Sequence, residues 1–375
     1  MCCPRFVERK TFLSTSQHTA INPTNQTQKE PVQVRAIVLH GKQDLRYDPE
    51  YPTPSPVAGE VLLRMSYSSI CQTDIEMWQQ GMFNSKGKPH VQGHEASGVV
   101  EKLGEGVTSL RVGDRIAVEN VRTCGTCFFC RKGRASLCEN GRNFGFSDDG
   151  GLAEYAVWPA ALCIKLPDNM SNEEAPLSEP TSVAVHAVMN SNVQVGDTAA
   201  VIGCGVVGLL TLQVLQAAGA KVVAIDSREQ SLSIARDFGA AATLNPSEAD
   251  PSELLPDLTN GYGPDVVIET AGAPGTALNA AQWVRRGGKA VIVGFNHRYQ
   301  ELNFARSVQG EKTIMGSSAT GVGEYRKGVD LIARGLVNVK PLISATIPLD
   351  RGIEDGFERM LTPVKNVYRI LVGNG

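Results

Sequence analysis

Three side chains that can bind zinc lie close together in the first third of the chain. Cys71 begins the segment Cys-Gln-Thr-Asp, and a Gly-His-Glu turn that contains His94 and Glu95 closes this stretch of 25 residues. A thiolate, an imidazole and a carboxylate together suit zinc, and three protein ligands leave a fourth position open for a substrate. The residue types predict a catalytic metal site, provided that the fold brings them together. Taken singly, these residues are more typical of a buried cysteine and an ordinary surface His-Glu pair than of metal ligands.

Four further cysteines form a tighter cluster. Cys124, Cys127, Cys130 and Cys138 follow the spacing C-x2-C-x2-C-x7-C. Four thiolates so close predict a closed tetrahedral zinc site with a structural role. An iron–sulfur cluster is the alternative, because ferredoxins use a similar spacing, although no proline follows the fourth cysteine here. Clustered cysteines in a long chain without a secretory signal indicate a reducing compartment, and we expect the cytoplasm.

A glycine-rich segment predicts a dinucleotide site. The sequence Gly-Cys-Gly-Val-Val-Gly at 203–208 follows an apolar strand and opens an amphipathic helix, where its backbone can approach a pyrophosphate. Asp226 ends the next strand, and a carboxylate there favours NAD because it accepts the ribose hydroxyls and repels a 2′-phosphate. Arg228 keeps NADP open, since an arginine can bind that phosphate. The predicted cofactor contacts are Gly203, Gly205, Val206, Val207, Gly208, Asp226, Arg228, Thr270 and Val293.

Composition narrows the class of protein. The chain has 375 residues and a net charge of −3, so nothing points to nucleic acid or to an anionic membrane surface. No apolar run reaches the roughly 18 residues of a membrane span. Residues 1–33 are polar and aperiodic, which predicts a disordered extension. Arg5, Arg9 and Lys10 leave a mitochondrial transit peptide as the alternative, against which Glu8 and the absent amphipathic pattern count.

The elements that must hold these residues fall into two patterns. Residues 34 to about 167 alternate short strands and turns, with a proline-rich loop (Pro49, Pro52, Pro54 and Pro56), and predict an all-β unit. From about residue 171, apolar strands alternate with helices, which predicts a parallel sheet covered on both faces. The six expected strands of that sheet are Thr198–Ile202, Lys221–Ile225, Ala241–Leu244, Asp265–Glu269, Lys289–Val293 and Thr313–Met315. A helix at Glu324–Arg334 and two short strands near 346 and 368 close the chain.

Together the motifs resemble those of the medium-chain dehydrogenase/reductase family, the zinc-dependent alcohol and polyol dehydrogenases. The resemblance runs from about Val34 to the end. It rests on Cys71-Gln72-Thr73-Asp74, Gly93-His94-Glu95, the four cysteines, Gly151-Leu152-Ala153-Glu154-Tyr155, Glu179-Pro180 and the glycine fingerprint, in that order. It implies an α/β protein with a GroES-like β domain (34–182, with a zinc lobe at 119–140, and 318–375). A doubly wound Rossmann coenzyme domain (183–317) would complete the fold, with the site in the cleft between the two.

The resemblance also assigns roles. Cys71 and His94 would bind the catalytic zinc, with Glu95 as a nearby, exchangeable ligand. Glu179 occupies the position where simple alcohol dehydrogenases have a second cysteine and where sorbitol, butanediol and threonine dehydrogenases have an acidic residue. Thr73 would accept the alcohol proton, and Asp74 the second ring N–H of His94. The implied activity is hydride transfer between a secondary alcohol, diol or polyol and NAD, in a homodimer or homotetramer with two zinc ions per chain.

Some positions depart from the family. Glu76 stands where alcohol dehydrogenases often place a relay histidine, and residues 316–320 lack the arginine of sorbitol-type enzymes, which argues against sorbitol itself. Trp78, Phe144 and Phe146 are candidates for the pocket wall, with core packing as the alternative. We expect His186 to be packed and His90 to be exposed. Two other functions stay open: a zinc-independent NADPH enone or quinone reductase, and a non-catalytic nucleotide- or zinc-binding protein on the same fold.

Overall fold

The computed structural model describes residues 33–82, 87–296, 300–362 and 367–374. The predicted extension, except for Gln33, and the transit-peptide candidates therefore lie outside the described residues. The strands are β1 (Gln33–Gly41), β2 (Asp44–Pro52), β3 (Glu60–Ile70), β4 (His90–Val91), β5 (Glu95–Leu103), β6 (Arg115–Val118), β7 (Val121–Arg122), β8 (Arg142–Asn143), β9 (Tyr155–Pro159), β10 (Cys163–Lys165), β11 (Thr198–Ile202), β12 (Lys221–Ile225), β13 (Ala242–Leu244), β14 (Val266–Glu269), β15 (Lys289–Ile292), β16 (Thr313–Gly316), β17 (Ile343–Pro348) and β18 (Arg369–Gly373).

The helices are fewer and lie mostly in the second half of the chain. They are α1 (Gln72–Gln80), α2 (Phe128–Arg131), α3 (Ser178–Ser191), α4 (Val206–Ala217), α5 (Glu229–Asp237), α6 (Pro251–Leu258), α7 (Thr276–Trp283), α8 (Phe304–Gln309), α9 (Glu324–Ala333) and α10 (Arg359–Leu361), which follows a π-helical stretch at Gly352–Glu358. Within the described ranges, no helix has the length and apolarity needed to cross a bilayer.

The first sheet system combines strands from both ends of the chain. Its largest sheet has the order β10-β6-β5-β3-β18-β17, and β9 also pairs with β3. Alternating apolar side chains bury one face of these strands, and the fully buried Trp158 packs in that core. Strand β18 runs antiparallel to β3, with Ile370 opposite Ile70. This register brings residue 369 beside residue 71, although almost 300 positions separate them in the sequence.

The second sheet is parallel throughout and has the order β13-β12-β11-β14-β15-β16. Strand β11 lies at the centre, and the order reverses there, which is the arrangement of two mononucleotide-binding halves. All six strands begin and end within one residue of their predicted positions. The carboxyl ends of β11, β12, β14 and β15 meet at one edge and carry the predicted cofactor residues.

Two predictions of local structure are wrong. The first part of the proline-rich loop is a strand, because β2 contains Pro49 and Pro52, whereas Pro54 and Pro56 lie in a loop as predicted. Among the described strands, β2 pairs only with β1 at the edge of a three-stranded sheet, where a missing N–H is tolerated. The unit predicted to be all-β also contains helix α1, which begins directly after Cys71. Helix α3 contacts β5 of the first sheet system and β14 and β15 of the parallel sheet, so one helix touches both.

Candidate metal centres and cofactor site

Asp74 holds two of the predicted zinc ligands in place. Cys71 is the N-cap of α1, and its backbone N–H donates to Asp74 Oδ2 at 2.8 Å. The other oxygen, Oδ1, lies 3.2 Å from Nδ1 of His94, and both side chains are buried. This contact supports the role predicted for Asp74 and raises the pKa of His94, although burial opposes the increase. Because Nδ1 faces the carboxylate, Nε2 of the same ring is left for a metal ion.

The structure brings Cys71, His94 and Glu95 together. One ligand atom from each lies within 4.8 Å of the other two. Glu95 is tied to Arg369, whose Nε donates to Oε2 at 2.9 Å and whose Nη2 donates to Oε1 at 2.8 Å. Ser69 also donates to this carboxylate. Burial alone would raise the pKa of Glu95, but the guanidinium outweighs it and keeps the pKa below its ordinary value.

Glu179 lies beside this cluster but outside the group of three. It occupies the first turn of α3, is 9% exposed, and receives no hydrogen bond at its carboxylate from the residues that the structure describes. Burial raises its pKa to about 7; the charge of His94 lowers it, and that of Glu95 raises it. A buried carboxylate without a donor is unfavourable unless a cation or a proton compensates it. Thiolate, imidazole and two carboxylates at this point therefore fit a zinc ion.

Of the remaining candidate residues, two contact a predicted zinc ligand and two pack on other aromatic side chains. Thr73 Oγ1 lies 3.7 Å from Cys71 Sγ, and the Phe146 ring packs on the His94 ring with 4.5 Å between centroids. Trp78 packs instead on Phe357, and the Phe144 ring packs on buried Trp158. Of the three aromatic candidates, Phe146 alone stacks on a predicted ligand.

The predictions for His90 and His186 have different outcomes. The prediction that His90 is exposed is wrong, since its side chain is only 2% exposed. His90 lies in β4, and the pairing of β4 with β1 buries it. His186 is packed as predicted, with Nδ1 2.8 Å from Glu324 Oε2.

The four remaining clustered cysteines also converge. Their sulfur atoms lie within 4.8 Å of one another, and the sulfurs of Cys127 and Cys138 are 4.0 Å apart. Zn–S bonds of about 2.3 Å place two tetrahedral ligands about 3.8 Å apart, so this spacing fits one ion. The backbone N–H groups of Thr126 and Cys127 lower the pKa of Cys124 to about 6. Such donors stabilise a thiolate, the form that binds metal.

The glycine fingerprint has the geometry that a dinucleotide requires. Gly203 has a φ of +93°, which favours glycine, and a Cβ on Gly208 would lie 1.7 Å from the Gly203 carbonyl oxygen. Val206 and Val207 begin α4, whose N-terminus follows directly. Thr270 donates to the carbonyls of Ile202 and Gly203, and Val293 follows β15 with its N–H bound to the Glu269 carbonyl. These contacts hold the turn open for a phosphate.

Asp226 and Arg228 form one hydrogen-bonded unit at the end of β12. The backbone N–H of Cys204 donates to Asp226 Oδ2 at 2.6 Å, and the backbone N–H of Arg228 donates to Oδ1 at 2.8 Å. The guanidinium of Arg228 adds two bonds of 3.0 Å. Burial opposes ionisation, but these donors outweigh it and lower the pKa of Asp226. The carboxylate therefore stays charged near the predicted ribose position.

Sequence reasoning missed the contacts of Arg369. This residue is buried, binds Glu95 and lies 3.4 Å from Cys71 Sγ through Nη2. No motif surrounds it, and only the pairing of β18 with β3 places it at the site. Ser69 was also missed, because a serine at the end of a strand carries no signal of its own.

Two family models and several known proteins match this chain. Residues 57–168 match the family model described as "Alcohol dehydrogenase GroES-like domain", and residues 206–334 match "Zinc-binding dehydrogenase". The chain is 36% identical over 327 residues to a probable D-xylulose reductase A of Aspergillus clavatus, covering 83% of this chain and 89% of that protein. It is also 36% identical to human sorbitol dehydrogenase, covering 85% and 90%. The solved structure of 2R,3R-butanediol dehydrogenase from Bacillus subtilis superposes with a TM-score of 0.85 at 30% identity, covering 91% and 100%.

Proposed function

This chain belongs to the zinc-dependent alcohol and polyol dehydrogenases of the medium-chain dehydrogenase/reductase family, and we propose that it oxidises a secondary alcohol of a diol or polyol with NAD. The observation that carries the proposal is the convergence of half-buried Cys71 with buried His94 and Glu95, beside the Glu179 carboxylate, which no described residue pairs with. Glu179 stands on α3, the helix that contacts both sheets. A site at this position can bring an alcohol and a nicotinamide together.

Cys71, His94 and Glu179 would hold the catalytic zinc, with Glu95 able to exchange in when Arg369 releases it. A zinc ion bound there supplies Lewis acidity that makes an alcohol proton easier to remove, and NAD supplies the hydride acceptor. Cys124, Cys127, Cys130 and Cys138 would hold the structural ion.

The chain's own residues supply orientation and proton transfer. Asp74 fixes the tautomer of His94, and its bond to the Cys71 backbone keeps both ligands in register. Thr73, half-buried next to Cys71, offers a hydroxyl that can take the substrate proton and pass it outward. Phe146 covers one face of His94 and keeps water from that side of the site.

Two observations support a substrate class: the names of the relatives, and the lack of an arginine in residues 316–320. The relatives are named for D-xylulose, sorbitol and 2R,3R-butanediol. The segment 316–320 reads Gly-Ser-Ser-Ala-Thr and offers no cation to a polyol chain. We therefore place the substrate among vicinal diols and secondary alcohols with fewer hydroxyls than sorbitol.

NAD is the proposed coenzyme because Asp226 is ionised and buried at the end of β12. A 2′-phosphate would meet this negative charge, whereas ribose hydroxyls can donate to it. All four acceptor positions of the carboxylate already receive a donor, so a ribose must displace part of the Arg228 guanidinium. The displaced Arg228 guanidinium could then bind the 2′-phosphate, so NADP would serve as a weaker coenzyme.

We also propose a homodimer. Among the described strands, β16 pairs only with β15 and leaves its other edge open. The adjacent helix α8 exposes Phe304 at 70% and Val308 at 74%. An open strand edge beside exposed apolar side chains is suited to pairing with a second copy. Light scattering of the wild type and of Val308→Asp tests this, with a monomeric variant expected.

The central test is NADH formation across secondary alcohols, vicinal diols, polyols and L-threonine, with and without a chelator, together with zinc content. We expect activity on a diol or secondary alcohol that is lost on chelation and in Cys71→Ala. Cys163→Ala is the matched control, because Cys163 is buried and belongs to neither cluster. One zinc per chain with no activity on any substrate would favour the non-catalytic alternative.

A further inference from the structure

A cavity that is lined by none of the predicted metal ligands or cofactor residues lies partly against the predicted zinc lobe, which contributes Glu119, Val121, Thr123 and Ala135 to its walls. It has a volume of about 280 Å³ and lies between the segment 119–123, which follows β6, and the loop 320–323, which precedes α9. The side chains of Leu162 and Ala135 form an apolar part of the cavity wall. The volume is close to the roughly 300 Å³ at which small-molecule sites begin. The cavity is therefore large enough for a compact metabolite.

Two opposite charges line this cavity without pairing. Within the described part of the chain, no donor reaches the Glu119 carboxylate, and no cation lies within ion-pair distance of it. Arg326 also lines the cavity, and its guanidinium has no described carboxylate within that distance. The two charges attract, and this attraction opposes the effect of burial, which raises the pKa of Glu119 to about 7. Each charge is thus available to a ligand that carries its complement.

The walls that carry these charges are fixed by hydrogen bonds. The Glu119 carbonyl accepts the indole N–H of buried Trp158 at 2.8 Å, and the Glu119 backbone N–H donates to the Leu162 carbonyl at 2.9 Å. On the opposite wall, Glu324 accepts the Gly321 backbone N–H and pairs with His186 at 2.8 Å. The Glu324 carboxylate is thereby already paired with the Gly321 backbone and with His186 of α3. Fixed walls with open charges lower the ordering cost of binding.

We propose that this cavity binds a small zwitterion of α-amino-acid size. The ligand carboxylate would pair with the Arg326 guanidinium, whose planar fork suits it. The ligand ammonium would pair with Glu119, and binding a cation would favour the ionised form of that carboxylate. Thr123 and Thr320 offer hydroxyls at the same walls. A ligand with both charges gains two pairs, whereas a simple acid or amine gains one.

The experiment is calorimetric titration of the zinc-loaded full chain with L-alanine, propionate and propylamine. We expect L-alanine to bind roughly tenfold or more tightly than either single-charge analogue, since each lost charged pair is worth at least about one decade. Glu119→Gln and Arg326→Gln should each weaken L-alanine by a similar factor. Arg334→Gln, directly after the same helix and outside the cavity, is the matched control and should bind like the wild type.

The result separates this site from the catalytic centre. Cys71→Ala, which removes a ligand of the predicted catalytic ion and leaves the four-cysteine lobe intact, should leave L-alanine binding unchanged, whereas binding at the predicted catalytic ion would be lost. Equal affinity for L-alanine and propionate would overturn the zwitterion assignment and identify a simple anion site. Absence of heat with all three compounds, or wild-type binding in both Glu119→Gln and Arg326→Gln, would overturn the site. Circular dichroism and zinc content establish that each variant is folded, and Arg326→Lys provides a second variant that keeps the charge.

Discussion

Replacing Arg369 by methionine tests the ion pair beneath the predicted zinc site. The change keeps most of the aliphatic volume but removes the guanidinium that donates to Glu95 at 2.8 and 2.9 Å. Arg369 is 5% exposed and Glu95 is fully buried. Removal of one partner from a buried pair typically costs about 3–5 kcal/mol, because the other charge is left without compensation. We expect that loss in the free energy of unfolding of the chelated protein at neutral pH.

Zinc and pH should both modulate the loss. A bound cation next to Glu95 offsets part of the missing charge, so the zinc-loaded variant should lose less stability than the chelated one. The pKa of Glu95 in the folded wild type is depressed, so the pair stabilises the fold above the ordinary value of 4.5. Its contribution disappears as the pH falls through the folded pKa, because protonation removes the carboxylate charge. The penalty of Arg369→Met should therefore shrink toward acidic pH.

Urea denaturation followed by tryptophan fluorescence measures the effect, since Trp158 is fully buried. Glu95→Gln/Arg369→Met removes both charges and should recover most of the lost stability. Arg351→Met is the control, because Arg351 pairs with Glu354 and Asp355 at the surface, and its loss should be below about 1 kcal/mol. A loss below 1 kcal/mol for Arg369→Met without zinc, or a double variant as unstable as the single one, would refute the reasoning.

Asp226→Asn should lower kcat/KM with NAD roughly tenfold to a hundredfold, because a ribose hydroxyl then loses a charged acceptor; steady-state rates with both coenzymes measure this. Arg228→Gln should reduce use of NADP while sparing NAD, and an unchanged ratio of the two coenzymes in both variants would contradict the assignment. Cys124→Ser should lower the zinc content from two ions to one and the melting temperature with it; retention of both ions by elemental analysis would exclude the four-thiolate site. Glu119→Gln should exceed the wild type in melting temperature above pH 7, since the folded pKa of about 7 lies above the ordinary 4.5 and the charged form is penalised. The difference should close as the pH falls from 7 toward 4.5, and a pH-independent difference would argue against burial of this carboxyl group.

The sequence by itself determined the local elements of the coenzyme half. Apolar strands and amphipathic helices have periods that depend on neighbouring residues alone, so six strands were predicted to within one residue. The fingerprint at Gly203–Gly208 was also readable, because its meaning follows from a strand before it and a helix after it. The four-cysteine cluster was predictable for the same reason. Its 15-residue segment can bind one ion without contacts from distant parts of the chain, and it contains Cys124, Cys127, Cys130 and Cys138.

Local signals failed where position in the sheet decided the outcome. Pro49 and Pro52 signal a loop in any window of sequence, yet β2 tolerates them because it lies at an edge. His90 is buried because β4 pairs with β1, a partner about 50 residues earlier in the sequence. Phe144 and Phe146 are two residues apart and cannot be told apart by type, but one packs on Trp158 and the other on His94.

Only the tertiary structure decided how the candidate catalytic site is charged. Arg369 reaches Glu95 and Cys71 because β18 pairs with β3, and Glu179 lies beside them because α3 contacts both sheets. Neither contact can be predicted from the spacing of residues in the sequence, since the partners lie between 84 and 298 positions apart. The pKa of a carboxylate depends on burial and on charges within a few ångströms, and both are set by the packing of distant segments. The ligand types were therefore readable from the chain, whereas their environment was a property of the fold.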